Sequence, residues 1–241
     1  MDALEQYLSK RYWSEDDVLH DVRADTARRG PSIQVSAEAG HLLALFVRSL
    51  GATRVLEVGT LFGYSGIWMA RELPVGGRLD TIAIAQRHAD AAEHWFERAG
   101  VSDRVVVHRG AGVDVLQTLL GPYDVAVIDA NKNDYPHYTR LALERLRPGG
   151  MLIADNAIRG GRIVVSGVDA DIDGIRAMHD MLAAHPGVIA TTLPVGDGMA
   201  IAVKLEGRSG FHSFEHRHCS QTPLDVMLHR TGRMGGHLVR R

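Results

Sequence analysis

Three residues with hard oxygen donors, Asp129, Asp155 and Asn156, close two apolar runs that read as buried strands over 123–129 and 151–155. Ligands of an open α/β sheet bind outside the carboxyl ends of its strands, so two consecutive strands that finish in aspartate bring these side chains to one rim. Oxygen-only donors select Mg²⁺, Mn²⁺ or Ca²⁺ over zinc, and a set of three leaves coordination positions for water or a chelating substrate. The same residue types are common caps and turn formers at βα junctions, and the sequence leaves both readings open. Lys132, in Asp129-Ala-Asn-Lys132, falls just past the first of these ends. Beside a divalent cation and a cationic cofactor its ammonium form is disfavoured, which suits a general base; without the metal it reads as a solvated loop lysine.

The second constellation is Val55-Leu-Glu-Val-Gly-Thr-Leu-Phe-Gly-Tyr-Ser65. Val55, Leu56 and Val58 predict a buried strand, and Gly59 and Gly63 let the backbone turn tightly and approach a ligand. A helical stretch over 66–73 follows and stops at Pro74. The spacing is not G-x-G-x-x-G, which argues against a dinucleotide. Glu57, just before the turn, would direct a carboxylate at a polar or cationic part of the ligand, a combination that suits S-adenosylmethionine. An ordinary tight βα turn with a solvated glutamate is the competing reading.

Strands predicted over 55–58, 79–84, 104–108, 123–129 and 151–155 alternate with helices over 66–73, 87–99, 113–120 and 135–146, with 147–150 as the turn into the fifth strand. Such alternation argues for a parallel sheet. Tyr135 and Tyr138 read as helix packing. A loop over 157–168 leads to a helix over 171–184, and 188–193 with 199–204 reads as a hairpin. Ahead of the sheet, Ser14-Glu-Asp-Asp17 starts a helix that ends near Gly30, and Ser36 caps another. That second helix carries Leu42, Leu43, Leu45, Phe46 and Leu50 on its apolar face and is closed by Gly51.

With 241 residues and 45% hydrophobic content, the chain can bury one substantial core. The expected organisation is an N-terminal helical segment (1–30), one α/β domain (31–205) and a tail (206–241), disordered or a surface arm and rich in Gly, His and Arg. A net charge of -2 provides no global basic field for nucleic acid. A single cysteine fits a reducing compartment, and no run is long enough to cross a bilayer, so a cytoplasmic protein is expected. His212, His216, His218 and Cys219 match no standard zinc spacing.

Residues 57–65, Ile128-Asp-Ala-Asn-Lys-Asn-Asp-Tyr135, Leu146-Arg-Pro-Gly-Gly150 and Asp155-Asn156, in this order and spacing, resemble the cation-dependent O-methyltransferases, the group of catechol and caffeoyl-CoA O-methyltransferases and their bacterial relatives. The similarity covers about 33–204. It implies a class I, Rossmann-like methyltransferase fold: a seven-stranded, mostly parallel sheet with an antiparallel last strand and helices on both faces. It also implies that Glu57, Gly59 and Ser65, with Thr60 and Gly63 of the same turn, hold S-adenosylmethionine under Val35. Asp129, Asp155 and Asn156 would bind Mg²⁺ (or Mn²⁺ or Ca²⁺), Asp129 also facing the cofactor, and Lys132 would be the base. The acceptor implied is a small vicinal diol, with Asp197 on its side, and the assembly a homodimer. Hydroxyuridine in transfer RNA is a second acceptor class within the resemblance and would require a basic surface round the pocket.

Three positions depart from the pattern. Ala83 stands where relatives bind the cofactor ribose with an acid, and Gly110-Ala111-Gly112 stands where they have a polar residue near the adenine. These losses leave open a non-catalytic member with an eroded cofactor site. Ile158-Arg159 replaces the aromatic wall of the plant enzymes, so Arg159 points to an anionic acceptor or is simply an exposed loop residue.

Overall fold

The computed structural model describes residues 3–31, 33–165 and 169–206; the tail beyond 206, with His212, His216, His218 and Cys219, lies outside the described residues, as does Val168 at the end of the expected loop. Three helices come first: α1 (Ala3–Tyr12), α2 (Asp17–Arg29) and α3 (Ala37–Ser49). Then β1 (Arg54–Val58), α4 (Tyr64–Glu72), β2 (Arg78–Ala83), α5 (Gln86–Arg98), β3 (Val105–Arg109), α6 (Gly112–Thr118), β4 (Tyr123–Ile128), α7 (Tyr135–Arg145) and β5 (Leu146–Ala154) alternate. The chain closes with α8 (Ala170–Ala184), β6 (Val188–Leu193) and β7 (Met199–Lys204).

One seven-stranded sheet runs in the order β3-β2-β1-β4-β5-β7-β6, with β7 antiparallel to both neighbours and the other pairings parallel. Period-two alternation feeds two cores. Val55, Val125, Val127 and Ile153 join Leu43, Ile67 and Phe96 of the α2–α5 side, while Leu56, Val58, Ala126 and Ile128 join Leu141, Ile175 and Met178 of the α7–α8 side. A sheet covered on both faces reads as near-continuous apolar runs, which is why its strands were visible in the sequence.

Two local expectations are corrected. Leu45 is exposed rather than on the apolar face of α3: Gly40, Leu43, Ala44 and Val47 form the buried stripe, at helical spacing, and Leu45 points away from it. Residues 147–150 are not a turn before β5 but part of it. A register shift opposite Tyr123–Val125 absorbs the glycines, and Arg147 Nε donates to Asp124 Oδ1 at 2.5 Å to hold the irregular stretch in the sheet. The expected caps hold in substance, since Ser36 accepts from the Ala39 amide at 3.1 Å and Asp16, within the acidic run, caps α2.

Asp80 is buried in β2. Burial opposes its charge, but His108, Arg78 and Tyr123, donating at 2.7, 2.6 and 3.1 Å, outweigh it and hold the carboxyl at about 2. A carboxyl depressed in the folded state stabilises it fully above the unfolded value near 4 and loses that contribution as pH falls toward 2. Asp80→Asn is therefore expected to lower unfolding free energy at pH 7 by about 2–3 kcal/mol, and urea titrations at pH 7 and 3 should show the gap to the parent narrowing in acid. A gap that does not change with pH would remove the charge argument.

Candidate active site

The strand ends finish level. The Asp129 amide donates to Val58 O at 2.8 Å, Asp155 N to Ile128 O at 3.0 Å, Gly59 N to Ile82 O at 3.1 Å and Gly110 N to Ala83 O at 3.0 Å. Over this rim lies a cavity of about 370 Å³, of a size for a drug-sized ligand. Its floor is the turn after β1, where Gly59 (φ 115°), Leu61 (φ 45°) and Gly63 (φ 90°) take left-handed conformations. A β-carbon on Gly59 would collide with the Asp129 carbonyl oxygen, so only glycine lets β1 and β4 end this close together. Pro31, Ile33, Gln34 and Val35, between α2 and α3, form a further wall. Tyr64 also lines the cavity, and its hydroxyl ties it to α2 by accepting from Arg23 at 2.5 Å while donating to Glu15, just ahead of that helix, at 2.7 Å.

Of the residues expected to hold the cofactor, Val35, Gly59, Thr60, Ser65, Ala83 and Asp129 line the cavity. Gly63 and Ala111 do not. Gly63 instead makes the left-handed entry into α4 against Phe96, and Ala111 is exposed between the lining residues Gly110 and Gly112. Glu57 is also not on the wall. It lies beneath α4, because its position in β1 faces the same side as Val55, and accepts from Ser65 Oγ and Thr81 Oγ1, each at 2.5 Å. Thr81 donates to Glu57, so the 2.6 Å contact between Thr60 and Thr81 has Thr60 as its donor. Burial pushes the Glu57 carboxyl up to about 7, against these hydroxyls and with the help of Asp129. The carboxylate thus acts on the cavity through Ser65.

At the other end Asp129, Lys132 and Asn156 line the cavity, and Asp155 lies buried beside Asn156. Lys132 Nζ donates to Asp129 Oδ1 at 2.8 Å and lies 5.0 Å from the Tyr135 ring centroid. Gly174 of α8 lets that helix close on the Lys132 carbonyl, which fixes the short helical turn carrying the lysine. Asn156 takes φ 55°, a left-handed conformation that asparagine tolerates, and donates from Nδ2 to Asp155 Oδ2 at 3.3 Å. Burial pushes Asp155 up to about 7, with Asp129 adding repulsion and Lys132 relieving part of it. A buried aspartate whose charge is opposed by a second, with an amide oxygen available on a turned Asn156, fits a hard divalent cation. No group of three His, Cys, Asp or Glu occurs among the described residues, so the amide is needed to complete the set.

Arg159 lines the cavity next to Asp171, 3.7 Å away. Asp197 does not line it; its carboxylate accepts from the Gly160 amide at 2.5 Å and so pins the loop that presents Arg159. Sequence reasoning missed three contributors. Tyr135 is buried, as its packing role required, but its hydroxyl also donates to the Asp155 carbonyl at 2.9 Å. Tyr138 packs in α7 and lines the cavity as well, and His88 of α5 lines it near Ala83. A histidine two residues into a helix that follows a strand end was the signal available for His88.

The sequence profile of the O-methyltransferase family matches residues 9–205. The chain belongs to that family. This methyltransferase is 40% identical over 194 residues to the catechol O-methyltransferase of Mycobacterium tuberculosis, covering 80% of this chain and 84% of that protein. It is 38% identical over 213 residues to the catechol O-methyltransferase of Niastella koreensis, covering 84% and 96%. The solved O-methyltransferase of Bacillus cereus in complex with S-adenosylhomocysteine is 39% identical and superposes with a TM-score of 0.79, covering 84% of this chain and 97% of that one. The fold is that of the class I methyltransferases, and among the described residues no helix is long and apolar enough to cross a membrane.

Gly59→Ala is expected to lower the thermal midpoint by several degrees, since the added methyl must push β1 and β4 apart at their ends. Scanning calorimetry of the two proteins checks this; equal midpoints would show that the bend tolerates a side chain.

Proposed function

We propose that this methyltransferase transfers a methyl group from S-adenosylmethionine to one hydroxyl of a catechol-like or other vicinal-diol small molecule, with Mg²⁺ or a similar cation held by Asp129, Asp155 and Asn156. The observation that carries the reading is the meeting of two opposed carboxylates and a buried lysine at one end of a cavity whose other end is the glycine turn after β1. The catechol O-methyltransferases among its relatives agree with a diol acceptor.

The chain's own residues divide the work. Ser65, backed by Glu57, accepts from the ammonium of the donor's methionine portion, and Val35 covers it. The donor supplies an electrophilic methyl and the cation would lower the pKa of the acceptor hydroxyl. As the neutral amine, which can still donate to Asp129, Lys132 Nζ would take that proton, and the acceptor oxygen would displace the thioether of the donor to give the methyl ether and S-adenosylhomocysteine. Asp129 orients the lysine. Arg159 and Asp171 flank the acceptor, Asp197 acting through the loop it pins. With the electrophile built into the donor, deprotonation and alignment are what the protein must provide.

Lys132→Ala is expected to reduce kcat with a catechol by about 10²–10⁴-fold while the dissociation constant for S-adenosylhomocysteine stays within about threefold; a fully active variant would exclude the base role. In the same assay chelation should stop the parent and Mg²⁺ should restore it, whereas Asp155→Ala should recover little. Activity that survives exhaustive chelation would exclude the metal. The assembly we propose is a homodimer through the N-terminal helices, where Tyr7 and Tyr12 stand exposed, and sedimentation showing a monomer at micromolar concentration would overturn it.

A further inference from the structure

Five buried side-chain atoms among the described residues lack a hydrogen-bond partner: Gln34 Oε1, Trp68 Nε1, His88 Nε2, Thr139 Oγ1 and Arg159 Nε. Buried polar groups are nearly always paired, so each exception needs a reason. Three of the five belong to residues that line the cavity over the strand ends, Gln34, His88 and Arg159. Arg159 is at the end with Asn156 and Asp171, and Gln34 adjoins Val35. His88, in the first turn of α5, lines the cavity together with Ile82, Ala83 and Ile84 from the end of β2.

That end is otherwise mostly apolar, its other polar group being the Tyr138 hydroxyl, which lies against Gly112 and donates to Asp134 at 3.5 Å. The rest of its lining is Ile82, Ala83, Ile84, Gly110 and Gly112. In nucleotide-binding α/β sheets an acid at the end of the second strand accepts hydrogen bonds from ribose hydroxyls, and Ala83 cannot do so. The nearby polar side chains are engaged elsewhere. Asp80 is enclosed by His108, Arg78 and Tyr123. Gln86 donates to Asp90 at 2.6 Å, and Arg109 pairs with Glu93 at 2.8 Å. His88, by contrast, is held by packing: its ring meets Phe62 edge-on with centroids 5.7 Å apart, and Arg29 lies 5.0 Å over the other ring.

We propose that His88 recognises the ribose of the methyl donor in place of the acid missing at Ala83, its imidazole hydrogen-bonding the ribose hydroxyls across the cavity end. This rests on reading the cavity as the methyl-donor site. Burial, with Arg87 nearby, lowers the His88 pKa and favours the neutral ring. A neutral imidazole has one donor and one acceptor, and a ribose hydroxyl can serve either. The exchange avoids burying a third carboxylate in a site that already buries Glu57 and Asp155.

The test is calorimetric binding by the full chain of S-adenosylhomocysteine, and of 5′-methylthioadenosine beside its 2′,3′-dideoxy counterpart. The parent is expected to prefer the ribose compound by about tenfold. His88→Ala should bind S-adenosylhomocysteine about tenfold more weakly and should lose most of the ribose preference, and Ala83→Glu added to it should restore both. His88→Gln, which keeps the bulk, provides the same comparison if the alanine variant does not fold. An unchanged preference in the variants overturns the proposal, including the case where affinity falls equally for both nucleosides, as a purely structural role would produce. So does a parent with no preference. A parent that binds S-adenosylhomocysteine not at all overturns the donor-site reading itself, and that result is distinct from the others.

Discussion

The constraint on which the site depends is the register of three parallel strands. Val58 pairs with Ile128, and Ile128 with Ala154, so the residues that follow, Gly59, Asp129 and Asp155, emerge side by side at one level. Adjacent strands are about 4.8 Å apart, which is the right scale for two carboxylates to share a cation. Side chains alternate along a strand, so Asp129 follows Val125 and Val127 on one face, and Asp155 follows Ile153 on the same face. A slip of one residue in β4 or β5 would send an aspartate to the opposite side. Two apolar cores, one on each face, make such a slip costly, because every buried valine and isoleucine of the strand would have to exchange sides with it.

Register brings charges together, and burial then sets their behaviour. Asp80 and Glu57 are both closed to solvent, yet one is held at about 2 and the other pushed up to about 7. Depth and neighbours explain the difference: Asp80 lies nearer the surface with arginine and histidine beside it, while Glu57 lies deeper with two neutral hydroxyls and the repulsion of Asp129. Asp155 has the same predicament at the far end of the cavity, with a carboxylate opposite and Lys132 as partial relief. Carboxylates left this poorly compensated are unfavourable for the folded protein alone. They are what a cationic ligand or metal would stabilise, which is the electrostatic basis of the proposed reaction.

The sheet was legible because its strands are apolar runs separated by amphipathic helices, and the metal-site candidates because strand ends can be counted from such runs. Roles that depend on direction were harder to read. The place of Glu57 just before the glycine turn suggests that it faces the ligand, but strand parity sends it under α4, so it reaches the cavity only through Ser65. Asp197 sits at a hairpin turn as expected, yet its oxygen is occupied by the Gly160 amide, a partner 37 residues away that no local pattern announces. Leu45 has the composition of the apolar face of α3 but lies off it in angle around the helix. The Arg147–Gly150 stretch looks like a turn because of its proline and glycines, but pairing with β4 overrides that preference. Tyr135 resembled an ordinary packing residue and is one; its hydroxyl's hold on the Asp155 carbonyl exists only once α7 lies across the sheet.

The cavity is chemically lopsided, and that asymmetry bears on how it would work. Asp129, Lys132, Asn156, Arg159 and Asp171 crowd one end, whereas the β2 end presents aliphatic side chains, glycines, the Tyr138 ring and a single imidazole. On the proposed reading the nucleoside half of the donor would be held mainly by removal of apolar surface from water, at about 25 cal/mol per Å², with few directional contacts to correct its placement. The methionine half and the acceptor would be placed by charge and hydrogen bonds. Alignment of the reacting atoms would then depend on the polar end, where error is least tolerable, while the nucleoside end provides affinity with looser geometry. An enzyme so divided can lose its ribose acid without losing its chemistry, provided one side chain still fixes how far the nucleoside enters.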